Sequence, residues 1–387
     1  MGSIDRKGKL RHSARVRNWG FFDKVARANR VGIISRIAQQ RGSTVLCHLT
    51  ADRPTRVAVG GMSTALAGEA QPWLIEHLRQ IGRVKQIDLL LYTRGGNTDS
   101  VWPIVSAIRE YCERFCVLVP FRAHSAGTLV CLGADETAMS PEAEFSPIDP
   151  TTGNPFNPVD ELVPGSRKGI SVEDVTAYIA LARDKKKAGL KKEASILEVF
   201  KKLADHVHPL ALGNVNRGHT QIRLLGRKLL QLPAGRLGES QITEIVDMLT
   251  EKLSSHLHAI NRHEARAVMG NRIAFADGQL EKDMWDLFQD FAGVMQLKER
   301  FNVLSYMGNQ LVRTIDVYGG FIESANLSTV FVSRSRISLR SALPAGANIQ
   351  IQAAGGQVQP LPLIPCFPVE ISVEPVEEGW QDNAGGA

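Results

Sequence analysis

The sequence predicts an α/β protein: a buried, largely parallel sheet comes first, then a helical C-terminal half and a small β-rich tail. Three observations carry this. Short apolar runs alternate with helical spacing from Thr44 to Ile148, helical spacing then dominates from Ser171 to Phe301, and strand-like alternation returns from Val312. The chain has 387 residues, 43% of them apolar and 22% charged, which suffices for a substantial core. With Gly 34 and Pro 18, collagen-like and wholly disordered chains are excluded.

Each element has its own signal. Thr44 to Leu49 reads as a strand, and Ala70 to Ile81 as a helix with Trp73, Leu74, Leu78 and Ile81 at helical spacing. Ile87 to Tyr92 and Cys116 to Pro120 are continuous apolar strands. Between them Thr98 to Tyr111 sets Val101, Ile104, Val105 and Ile108 on one helix face. Ser125 to Leu132 is a short helix, Glu136 to Met139 a strand and Ala143 to Ile148 an extended piece. Such alternation implies βαβ crossovers and a parallel sheet. Thr151 to Arg167, rich in Pro, Gly and Asn, is a long loop. Helices follow at Ser171 to Lys187, Ala194 to Ala204, Leu210 to Leu232, Ser240 to Leu253, Arg262 to Met269 and Glu281 to Phe301. Strand-like pieces recur at Val330 to Val332, Ile337 to Leu339, Ile349 to Ile351 and Val369 to Val373. The expected organisation is a basic N-terminal arm (1–41), a main domain (42–305, helical over 171–305), a small β-rich unit (306–378) and a disordered tail (379–387).

Charge is unevenly placed. Up to Arg41 there are eleven basic residues against Asp5 and Asp23, so this segment carries +9 and the remainder −3 of the net +6. It reads as a solvated, partly mobile arm open to an acidic partner. No nucleic-acid signature follows it, so nucleic acid is not expected. Cys47, Cys112, Cys116, Cys131 and Cys366 are odd in number and scattered, which argues against a disulfide framework and for a reducing compartment. No signal-like segment or long apolar span is present, so a cytoplasmic protein without a membrane span is expected.

Two turns carry chemistry. Tyr92-Thr93-Arg94-Gly95-Gly96-Asn97 ends an apolar strand in paired glycines, a way to present backbone N–H groups to an anion; alone, it is a tight turn. Ala123-His124-Ser125-Ala126-Gly127-Thr128 sets a serine between strand and helix, as in a nucleophile elbow, though Ala123 stands where that motif has glycine. Alone, Ser125 is a helix N-cap. Together they are more specific: the 29 positions from Gly96 to Ser125 hold one helix and one strand, so both turns meet at one sheet edge.

With Phe145-Ser146-Pro147-Ile148-Asp149-Pro150 and the Glu264-Ala265 helix closed by Gly270, these residues resemble the Clp/crotonase-fold serine peptidases. That group includes Clp peptidase and signal peptide peptidase A, and the narrower resemblance is to SDH-type Clp-fold serine proteinases. It spans about Val45 to Asn271 and is strongest from Leu89 to Pro150. It implies a Clp/crotonase-like ββα spiral core, Ser125 as nucleophile, and an oxyanion hole of Gly95, Gly96 and the Ala126 amide. It also implies a peptide or unfolded-protein substrate and a homo-oligomer.

The general base stays open. Asp149 stands where Clp peptidases carry histidine, and a carboxylate is a poor partner for a serine hydroxyl. By resemblance to signal peptide peptidase A, the stretch Phe200 to Pro209 offers Lys201, Lys202, His206 and His208, with His208 or Lys202 favoured and Lys168 a third option. Each also has a plainer role: the lysines as a solvated helix face, the histidines as caps, and His124 as a packed neighbour. His263 and Glu264 open like a zincin helix without its second histidine, and His256 with His258 lacks a third ligand. No metal, cofactor or phosphate loop is therefore expected. The expected activity is a serine peptidase with no ATP chemistry of its own, the alternative being an inactive peptide-binding or scaffold protein on the same fold.

Overall fold

The computed structural model describes residues 19–148, 151–152, 154–160, 166–235, 237–253, 258–341 and 369–383. Its centre is an eight-stranded sheet of β1 (Thr44–Thr50), β2 (Val84–Tyr92), β3 (Cys112–Val119), β5 (Glu136–Met139), β10 (Ile273–Phe275), β11 (Val312–Ser324), β12 (Ser328–Ser341) and β13 (Val369–Asp382). The order across it is β10-β5-β3-β2-β1-β11-β12-β13. The five strands from β10 to β1 run parallel, and β11 to β13 continue antiparallel from β1. Short pairs complete the chain: β4 (Arg122–Ala123), β6 (Glu144–Phe145) and β9 (Ile260–Asn261) form one small sheet, β7 (Thr151–Thr152) and β8 (Ile170–Ser171) another.

Central strands are apolar throughout because both sheet faces are covered. Alternate side chains serve opposite layers. Leu46, Ile87, Leu89, Leu91, Phe115, Val117 and Val119 face α2 (Gln71–Ile81), α3 (Val101–Glu110), α4 (Ala126–Leu132), α7 (Pro209–Leu230), α8 (Glu239–Asp247) and α9 (Arg262–Met269). Val45, Cys47, Leu49, Leu90, Tyr92 and Leu118 face α1 (Trp19–Arg41) and α10 (Gly278–Val294). Burying each such Leu, Ile or Phe contributes about 1.5–3 kcal/mol. The remaining helices are α5 (Val172–Arg183), α6 (Glu193–His206) and α11 (Val303–Met307).

The N-terminal segment departs from its reading as a solvated arm. Residues 19–41 form α1, whose Ile33, Ile34 and Ile37 are buried, while residues 1–18 lie outside the described residues. Three of its arginines are paired with carboxylates. Arg30 is fully buried, donating to both oxygens of Glu323 at 2.9 and 3.0 Å and to Asp290 at 3.1 Å, with its guanidinium 4.7 Å from the Phe291 ring centroid. Arg36 pairs with Asp283 of α10 at 2.6 Å, and Arg41 with Asp88 and Glu136. A basic count read along the sequence does not distinguish solvated charge from charge that has found a partner.

The C-terminal strands likewise differ from a separate β-rich unit. β11 pairs with β1 from Leu46↔Ser324 to Thr50↔Gly320, so the hairpin extends the main sheet. β13 runs to Asp382, placing Gly379 in a strand where a disordered tail was expected. The expected strand at Ile349 to Ile351 lies outside the described residues, as do Cys366, Asp149 and His256. Helix ends shift by a few residues: α8 closes in a π-helical turn over Met248–Lys252, and α10 ends at Val294 rather than Phe301. Among the described residues no helix is long and apolar enough to cross a membrane.

Two measurements test this packing. Arg30→Met strands the Glu323 carboxylate in the interior, so denaturant unfolding should show a loss of about 3–5 kcal/mol, against which a loss under 1 kcal/mol would contradict a buried pair. Burial pushes the imidazoles of His48 and His77 down to about 4, leaving both neutral in the folded chain. The folded state then binds fewer protons than the unfolded one, so stability is lost as pH falls from about 6.5 towards 4, by on the order of 3 kcal/mol per histidine at pH 4. His77→Gln should flatten that part of the stability–pH curve.

Candidate active site

The candidate site lies at the C-terminal ends of β2 and β3, where open α/β sheets place ligands. Thr93 forms a parallel bridge with Ala123: the Thr93 amide donates to the Arg122 carbonyl at 2.9 Å, and the His124 amide to the Thr93 carbonyl at 3.1 Å. The glycine turn and the serine turn are thereby hydrogen-bonded into one edge. Gly95 has φ +107°, a region open to glycine, and a Cβ there would sit 2.8 Å from the Cβ of Ser125. Gly96 lies as close to Leu66, whose carbonyl oxygen would be 2.1 Å from an added Cβ.

Hydrogen bonding decides which amides stay available. Leu66 donates to the Gly95 carbonyl at 2.9 Å, Asn97 donates to the Leu66 carbonyl at 2.8 Å, and the Gly95 N–H donates to Thr93 Oγ1 at 3.0 Å. The Gly96 and Ala126 N–H groups have no acceptor among the described residues. Free N–H groups beside a serine, one of them opening a helix, are donors that an oxyanion can take.

Ser125 is held in a strained backbone conformation, φ 48° and ψ −109°, one of two non-glycine residues with positive φ among the described residues. A conformation of this kind costs of order 1–3 kcal/mol and persists only where surrounding contacts impose it. Here they are explicit. The Ser125 amide donates to Ser146 Oγ at 2.8 Å, and Thr128 Oγ1 lies 2.8 Å from the Ala123 carbonyl and 2.9 Å from that of Ser146. Although Ser125 occupies the N-cap position of α4, its side chain makes no capping hydrogen bond, so the plain helix-cap reading does not hold.

A charged layer lies beside the elbow. Tyr92 donates to Asp52 at 2.6 Å, and Arg122 bridges Asp52 at 3.2 Å and Glu144 at 2.9 Å. Glu144 also lies 3.1 Å from His124 Nε2. Burial holds His124 below the ordinary imidazole pKa while Glu144 pulls the other way, and its ring is committed to that carboxylate rather than to Ser125. Thiol chemistry is not prepared here: burial raises Cys112 to about 11 and Cys116 to about 12, and pushes the Cys131 thiol up as well.

The expected bases lie elsewhere in this chain. His208 caps α7 through Nδ1, which accepts from the Leu210 amide at 3.2 Å, and its ring stacks on Phe156 at 4.9 Å. Lys202 is exposed on α6 beside Asp205, Lys201 pairs with Glu198, and His206 closes α6. Neither His208 nor Lys202 makes a hydrogen bond to Ser125. Lys168 is exposed; its amide donates to the Pro158 carbonyl and its carbonyl accepts from Asn157. Leu66, Thr128 and Ser146 support the site without a signal in the sequence, since nothing in a loop leucine or a lone hydroxyl tells what it will bind.

Gly95→Ala tests the geometry. The added methyl meets Ser125 at a distance real Cβ atoms do not adopt, so labelling of Ser125 by an active-site serine probe should fall at least about tenfold while the melting temperature shifts by only a few degrees.

Comparisons with known proteins give sequence and structural likenesses. Two uncharacterized proteins of Methanocaldococcus jannaschii match, one 28% identical over 172 residues (44% of this chain, 58% of that protein), the other 29% identical over 126 residues (32% and 43%). The chain thus spans about half the length of these curated relatives. Among solved structures, the 1510-N membrane-bound stomatin-specific protease, a mutant in complex with a substrate peptide, aligns with a TM-score of 0.33 and 15% identity. That alignment covers 55% of this chain and 71% of the other, a likeness too slight to carry an argument. The sequence profile of the ClpP-like SDH-type serine proteinases matches residues 21–206, the stretch holding both turns, and over those residues the chain is similar to that family.

Proposed function

We propose that the protein is a serine peptidase that cleaves peptide bonds through an acyl-enzyme on Ser125. The observation that carries this is the pairing of a strained serine, its Oγ unused by the helix it opens, with two amides free among the described residues. Ser125 Oγ would attack the scissile carbonyl, and the Gly96 and Ala126 N–H groups would take the oxyanion of the tetrahedral intermediate. Gly95 shapes the turn and leaves room for Ser125. Collapse of the intermediate expels the amine, and water releases the acyl group.

Of the candidate bases, Lys168 is favoured. Its chain path starts at the wall of the site: Ser146 receives the Ser125 amide, β7 follows within six residues, and Lys168 precedes Ile170, which pairs with Thr152. A lysine acts as a base near neutral pH only when desolvated. Lys168 is exposed in the single chain, so substrate or a second copy would have to cover it. We therefore propose that the working form is a homo-oligomer. Exposed Tyr178, Leu181, Leu197, Phe200 and Leu210 on α5 to α7 support assembly.

The test is labelling with a fluorophosphonate probe followed by mass spectrometry of the labelled peptide. Label on Ser125 that disappears in Ser125→Ala is expected, with Lys168→Ala lowering the labelling rate at least about a hundredfold and Lys202→Ala and His208→Ala near wild type. A folded wild-type protein that takes no label would instead favour a peptide-binding protein that keeps the fold.

A further inference from the structure

Arg94 stands apart from every other charge at this edge. It is exposed, whereas its neighbours Thr93 and Gly95 are buried. The Thr93 backbone is fixed by its bridge to Ala123, and Gly95 lies against Ser125, so the Arg94 backbone is held one residue from the nucleophile's wall. The cation beside it is spent: Arg122 is committed to Asp52 and Glu144. So are the nearby anions, since Glu144 also holds His124, Asp52 receives Tyr92, and Asp99 receives the Gln221 amide. Arg94 has no carboxylate partner among the described residues. Its charge is nonetheless felt at the elbow. Burial is the first cause lowering the His124 pKa, and Arg122 and Arg94 lower it further.

We infer that Arg94 selects substrates carrying a carboxylate within about two residues of the scissile bond, the span of extended peptide, at ~3.4 Å per residue, that a cation beside the oxyanion turn can reach. This deepens the peptidase reading of Ser125 and rests on it. The carboxylate is either an Asp or Glu side chain or the free C-terminus of the substrate. Both offer the guanidinium the same planar acceptor.

Binding measured on Ser125→Ala protein tests the inference without requiring turnover. Fluorescent peptides differing only in Glu against Gln near the centre, each with a free and an amidated C-terminus, separate the two sources of carboxylate. The Glu or free-acid peptide should bind about fivefold to tenfold more tightly than its neutral partner, with the ratio shrinking in high salt. Adding Arg94→Gln should bring the ratio to about one, and Arg94→Lys should restore part of it. A ratio near one in the parent protein, a ratio that survives Arg94→Gln in folded protein, or no binding of either peptide would overturn the inference. Absence of fluorophosphonate label on wild-type Ser125 would strike the acyl-enzyme reading alone, because the binding ratio is read independently of it.

Discussion

The buried contact between Arg30 and Glu323 ties together parts of the chain that nothing local would join. It links α1 to β11 across 293 positions, while Asp290 brings in α10 and Ser328 donates to Glu323 at 2.7 Å. Charges this deep are tolerated only when their donors and acceptors are matched, and here the guanidinium fork meets both carboxylate oxygens with aromatic rings alongside. β1 is the strand that benefits. It takes parallel β2 on one side and antiparallel β11 on the other, and its position fixes where β2, and thus the glycine turn, ends.

From that frame the site follows by short steps. The bridge between Thr93 and Ala123 brings two strand ends into register, and Gly95, lacking a side chain, lets Ser125 approach. Strain at Ser125 is then carried by hydroxyls, with Ser146 and Thr128 replacing the backbone bonds that an elbow cannot make. Rigidity of this kind suits a site whose donors must already point at the developing charge.

The parallel core was legible because buried strands are apolar on both faces and their helices repeat at a different period. Ile87 to Tyr92 and Cys116 to Pro120 could hardly be anything else, and Gly96 and Ser125 could be set at one edge from the count between them. Less local facts left no trace. Arg30 reads like any arginine until Glu323 is beside it, and the C-terminal strands look alike whether they form a unit of their own or lengthen a sheet. The base was the least legible, since lysines and histidines are common on exposed helices and only placement separates a base from a cap, as His208 shows.

The joining of α1 to β11 also orders events in time. Contacts this distant in sequence form slowly, because a long loop must close before they return any stabilisation. A ribosome delivers α1 and the parallel strands long before Glu323, so the sheet face that α1 and α10 cover stays open to water through most of synthesis. A chain stalled before α10 would leave that face without its second helix, with Arg30 lacking both Asp290 and Glu323. Quality-control machinery that binds apolar surface would therefore meet nascent or truncated copies far more often than finished ones.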